Sequence, residues 1–138
     1  MKRYFLIFSS LLAIFCLSSC NLGDDGPNFH FTALQITSAE LPESFVLNET
    51  YEISVTYVRP DGCTFFEGFD IGNEDVAVRN VVAVGSVRTD QTCTTALEEE
   101  EATFLFIVLH NETYRFRFWQ GTEDGQDEYF EVDVPVNQ

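Results

Sequence analysis

An all-β domain, a single antiparallel two-sheet sandwich of about seven strands, is the fold this chain predicts. Three observations lead there. Apolar and polar residues alternate with period two through most of the chain beyond residue 28, as in Tyr114-Arg115-Phe116-Arg117-Phe118. That spacing puts one face of a strand in the core and the other in water. Gly, Pro, Asn and Asp fall between the alternating runs, where they set turns. Helical periodicity is nearly absent.

The elements follow in order. The first strand lies near 31–38 and ends ahead of Pro42. A short edge piece around Phe45–Leu47 precedes the second strand, 50–58, which stops at Pro60-Asp61-Gly62. The third, 63–71, runs from that turn to Gly72-Asn73, and the fourth, 76–88, follows it. Thr95-Ala96-Leu97-Glu98 has the form of a capping box opening one helical turn; otherwise Glu98–Glu101 is a solvated crossing between sheets. The fifth strand, 102–109, ends at Asn111, and the sixth and seventh, 113–120 and 127–136, flank Asp124-Gly125. Seven short strands in a chain of this size resemble an immunoglobulin-like sandwich in general form. Residues 29–138 make one domain, large enough for one core.

The last hairpin allows a residue-level expectation. With Trp119 opposite Tyr129, Arg117 meets Glu131 and Arg115 meets Asp133 on one face. On the other face Phe118 meets Phe130, Phe116 meets Val132 and Tyr114 meets Val134. A slip of one residue would set Phe against acid along the whole length.

The N-terminus is a targeting segment. Met1-Lys2-Arg3 is basic, and Tyr4 to Leu17 is apolar but for Ser9 and Ser10. This run is shorter than the roughly 20 residues of a helical membrane span and suits a secretory signal. It closes on Leu17-Ser18-Ser19-Cys20. That tetrapeptide resembles the lipobox of bacterial lipoproteins. The resemblance covers residues 1–20 and implies removal of residues 1–19, diacylglycerol on the Cys20 sulfur and acylation of the new α-amine. Two or more acyl chains anchor a protein stably to a membrane. The acidic, Gly- and Pro-containing stretch 20–28 reads as a flexible tether. Its Asp24-Asp25 resembles the surface-export signals of Bacteroidetes-type envelope lipoproteins, which implies the bacterial outer membrane, surface-exposed.

The formal net charge is −16, and loss of residues 1–19 removes two cations, Lys2 and Arg3, and no carboxylate. Such a charge opposes nucleic acid and anionic lipid. Of four cysteines, Cys16 leaves with the signal and Cys20 takes lipid. Cys63 and Cys93 remain in an exported chain and are expected to form a disulfide, contributing roughly 3–4 kcal/mol through chain entropy.

The tetrapeptide Asn-Glu-Thr-Tyr occurs twice, at Asn48–Tyr51 and Asn111–Tyr114. As an Asn-x-Thr acceptor it conflicts with a bacterial lipobox. A duplication is the second reading, since Asp61-Gly62 and Asp124-Gly125 follow at the same offset. The third reading is a structural part used twice: Asn at a turn, Thr opening a strand and Tyr pointing inward with its hydroxyl at the rim. That arrangement resembles the tyrosine corner of sandwich domains.

Catalytic patterns are sparse. His30 and His110 stand apart, Cys63 and Cys93 are too distant for a redox pair, and no nucleophile elbow or phosphate loop occurs. A carboxylate-dependent hydrolase needs only two acids, so it stays as a distant alternative. No cofactor is expected beyond possible calcium at Glu123, Asp124, Asp127 and Glu128, with Asp70–Asp75 as a second acidic loop. Arg115, Arg117 and Trp119 share one strand face and form the candidate binding patch, unless Glu131 and Asp133 neutralise the arginines and Trp119 stacks on Tyr129. No role is assigned to Arg79 or Arg88. The expected work is non-catalytic binding or scaffolding at the cell envelope, with a calcium-stabilised adhesion or ligand-binding module as the alternative. Partners would be the membrane through the anchor and an envelope protein or glycan.

Overall fold

The structure is a computed structural model that describes residues 28–137. The signal, Cys20 and all of the tether before Asn28 lie outside the described residues. The chain forms strands β1 (Phe29–Leu34), β2 (Ile36–Glu40), β3 (Phe45–Val46), β4 (Thr50–Arg59) and β5 (Thr64–Asp75). It continues with β6 (Val78–Arg88), β7 (Glu98–Ile107), β8 (Tyr114–Glu123), β9 (Gln126–Val134) and β10 (Val136–Asn137). The all-β expectation holds, with the strands shared among more than one sheet.

In the larger sheet β6 is the centre. Along one edge it pairs with β5 over its whole length. Along the other, its C-terminal half takes β1 antiparallel and its N-terminal half takes β8 parallel. β9 then closes on β8. The second sheet runs β2-β4-β7, and β10 pairs with β3 in parallel. The expected purely antiparallel arrangement is therefore corrected at β6–β8 and β3–β10. Parallel partners need a long crossover, and here the chain between β6 and β8 passes through β7 in the other sheet.

Three more expectations are revised. The run expected as one strand near 31–38 is two: Leu34 pairs with β6, Ile36 with β4, and the chain changes sheets at Gln35. Both flanking side chains, Leu34 and Ile36, are fully buried, so the crossing costs no apolar contact. No helical turn forms at Thr95–Glu98, and Glu98–Glu101 belong to β7, paired with β4. This acidic run is held in a strand by what faces it: Arg59 forms ion pairs with Glu98 and Glu100, and the Tyr57 hydroxyl donates to Glu100 at 3.0 Å. Burial, helped by that carboxylate, pushes the Tyr57 phenol up to about 12.

The β8–β9 hairpin has the expected register from Tyr114 to Trp119. Past Trp119 a bulge shifts the pairing by one, so Gly121 faces Glu128 and Glu123 faces Gln126. The extra residue leaves a two-residue turn, with Asp124 at φ 51° and Gly125 at φ 78°. Both values are left-handed, as the hairpin twist requires.

The core lies between the sheets. Ile53, Val55 and Tyr57 of β4 belong to one buried cluster with Val81 and Ala83 of β6 and Phe116 and Phe118 of β8. At one end Phe45 is surrounded by Tyr51, Phe106, Tyr114 and Phe116, with ring centroids 4.8–6.0 Å away.

Candidate functional site

Both Asn-Glu-Thr-Tyr segments meet at that aromatic end. The backbone N–H of Val46 donates to the Tyr51 hydroxyl at 2.9 Å. The N–H groups of Leu109 and His110 donate to the Tyr114 hydroxyl at 3.1 and 3.0 Å. In each copy the phenol reaches back to the residue five before it, so the tetrapeptide is a part used twice. The asparagines differ: Asn48 is left-handed at φ 66°, and Asn111 has no positive φ. Asn48 N–H and Val108 N–H bond to Val108 and Glu49 carbonyls, which ties the first segment to the run entering the second.

Arg79, to which the sequence reading gave no role, completes this end. It is buried on the inner face of β6. Its guanidinium donates to the carbonyls of Asp75, Val76 and Val78 at 2.9–3.1 Å. It also lies 5.2 Å from the Tyr114 ring centroid. The cation thus holds the β5–β6 turn against the aromatic cluster, without a carboxylate partner among the described residues.

Arg115, Arg117 and Trp119 do share a face, and their polar groups are engaged within the chain. Arg115 grips Asp133 with two bonds of 2.8 and 2.9 Å. This pairing holds the Asp133 carboxyl below the ordinary aspartate range and raises the guanidinium further. Arg117 donates to Glu74 at 2.6 Å, lies 3.2 Å from Glu131, and covers the Tyr129 ring at 4.6 Å. Its bond, with one from Asn80, lowers Glu74. The Tyr129 face expected to stack on Trp119 therefore carries Arg117. Trp119 instead donates its indole N–H to Asp127 at 3.1 Å and lines a groove of about 300 Å³ with Leu34, Val58, Pro60 and Leu97.

The calcium candidates are placed as follows. Asp124 forms the turn. Asp127 accepts from Trp119 and from Thr122 Oγ1 at 2.9 Å, and both bonds lower its carboxyl. Glu123 and Glu128 are exposed. Among the described residues no three of His, Cys, Asp and Glu are grouped to hold a metal ion.

Cys63 and Cys93 form the expected disulfide, with Cα atoms 5.3 Å apart. Asp61 prepares this corner: its carboxylate accepts from Cys63 N–H at 2.9 Å and Thr64 Oγ1 at 2.7 Å. His30 and His110 lie on separate elements, His30 in β1 and His110 beside Tyr114. Near the chain's entry, Phe29, Phe65, Glu67, Ser86 and Arg88 line a second groove of about 390 Å³. Ser86 donates to Glu67 and Arg88 pairs with Asp90. Among the described residues no helix is long and apolar enough to cross a membrane.

Compared with family models, with curated proteins and with solved structures, the chain matches none.

Proposed function

We propose that this chain is a lipid-anchored protein of a bacterial outer membrane whose domain, an immunoglobulin-like sandwich, binds or scaffolds at the envelope and does no catalysis. The observation that carries the reading is Leu17-Ser18-Ser19-Cys20 after a basic and apolar start. Few residues separate Cys20 from β1 at Phe29, so the anchor would hold the domain close to the bilayer.

Five acids are committed to partners within the chain and do not suit the part of a carboxyl general acid. Asp61, Glu74, Asp90, Asp127 and Asp133 are all displaced downward, by hydrogen bonds or ion pairs. A carboxyl general acid needs the opposite displacement. Acid groups held ionised by neighbours serve structure.

Labelling with a radioactive fatty acid tests the anchor. Wild type is expected to incorporate label and to run shorter than its precursor, and Cys20→Ala to remain unlabelled and full length. Equal labelling of the variant would remove the lipobox reading. External protease on intact cells then reports the leaflet: loss of the domain supports surface display, and protection beside a cut surface protein places it in the periplasm.

A further inference from the structure

We infer that the open edge of β7 is a strand-accepting site for an extended partner segment that is apolar at one end and basic at the other. This deepens the binding half of the proposed function and stands apart from the anchor.

The backbone supplies the site. β7 is the last strand of its sheet and pairs only with β4 among the described residues. Val108 turns its N–H and carbonyl toward Glu49 and Asn48. Strand backbones alternate, so Ile107, Leu105, Thr103, Glu101 and Glu99 turn theirs to the opposite side. There they form a row of donors and acceptors that an added strand can pair.

Three other edges are blunted, and β1 offers only six residues. β5 carries two bulges, and β2 is five residues long with one bulge. On β9 the outward Glu131 and Asp133 are engaged by arginines. β7 keeps an unbroken register over all ten residues.

The side chains define the occupant. The same five residues project from the outer face. Leu105 is 70% exposed and Ile107 54%, both large for aliphatic groups. At the other end Glu99 and Glu101 join no ion pair among the described residues, whereas Glu98 and Glu100 are held by Arg59. Inside the edge, Phe104 is only half-buried, and its ring lies 5.2 Å from that of Phe69 on β5. Inward side chains of an added strand would cover these rings.

A second copy fits poorly, since an antiparallel copy would set its Glu101 and Glu99 against Leu105 and Ile107, and each copy carries a net charge of −16. The chain's own leading segment enters through β1, which pairs with the edge of β6 opposite β5. β7 lies on the β5 side. An antiparallel partner would set apolar residues against Ile107 and Leu105 and cations against Glu101 and Glu99.

The probe is the peptide Val-Thr-Val-Val-Thr-Val-Lys-Thr-Lys, added at about 1 mM to the full chain in detergent micelles, with amide exchange read at each residue. Without peptide, the amides of Glu101, Thr103, Leu105 and Ile107 should exchange faster than those of Ala102, Phe104 and Phe106. With peptide they should slow by about tenfold or more. The same peptide with glutamate for lysine should have little effect, and Glu99→Lys with Glu101→Lys should reverse that preference. Leu105→Pro removes an edge donor, not a β4 bond, and should abolish protection.

Unchanged exchange, equal action of both peptides, or protection that survives Leu105→Pro overturns the inference. So does slow exchange before peptide is added, whether constant (the chain covers its own edge) or rising with concentration (a second copy does). None of these results bears on Cys20, and loss of lipid labelling does not bear on the edge.

Discussion

At the scale of single residues, three side chains hold the aromatic end together by satisfying backbone groups. Tyr114 is fully buried and accepts two N–H donors, whereas Tyr51 is half-buried and accepts one. Removing a hydroxyl that serves part-buried donors leaves them poorly paired, at about 1 kcal/mol. Tyr114→Phe should therefore lower the urea midpoint clearly more than Tyr51→Phe; equal small losses would show that the hydroxyls are incidental. Arg79 works from the donor side, one guanidinium serving three carbonyls. Arg79→Met should cost about 2 kcal/mol by the same unfolding measurement. Arg79→Lys should recover little, because an ammonium cannot present the planar fork. The sequence hid Arg79 because a cation in Val78-Arg79-Asn80-Val81 looks outward-facing. Only the turn carbonyls gathered by folding make an inward guanidinium stable.

At the scale of elements, the β8–β9 hairpin is held by ion pairs that titrate. Asp133 is depressed by Arg115, so its contribution is present above the unfolded aspartate value of about 3.9 and is lost as pH falls through the lower folded value. Wild type should exceed Asp133→Asn in stability at pH 6, and the gap should close as the pH drops below about 4. A gap that persists at pH 2 would mean that packing, not charge, sets it. This hairpin was legible in the sequence because it is local. Two alternating strands around Asp124-Gly125 admit one register that keeps Phe116 and Phe118 inside. The candidate patch was legible as a shared face, and its quenching by Glu131 and Asp133 was foreseen as an alternative. Glu74 reaches Arg117 from β5, however, and no local pattern reveals that. The passage from β1 to β2 was invisible for a different reason: alternation and burial continue across Gln35 while the hydrogen-bonding partner changes. The acidic start of β7 read as loop because glutamates disfavour strands. Tyr57 and Arg59, some forty residues earlier, supply the compensation.

At the scale of the whole molecule, one covalent link and one strand hold distant parts of the chain together. The Cys63–Cys93 bridge spans 30 residues and fastens the segment after β6 to the start of β5. Its reduction should lower the melting temperature by more than about 10 °C, and an unchanged melt would show that the loop is already confined without it. Strand β6 has the wider consequence. Its three partners come from residues 29–34, 64–75 and 115–118, so the earliest strand stays without its mate until the middle of the chain is made, and the sheet stays open until near the end. The β5–β6 and β8–β9 hairpins can form locally, whereas loop closure must precede the pairing of β6 with β1 and with β8. The larger sheet is therefore finished late. Until residues 114–123 are made, the N-terminal half of one β6 edge has no strand beside it.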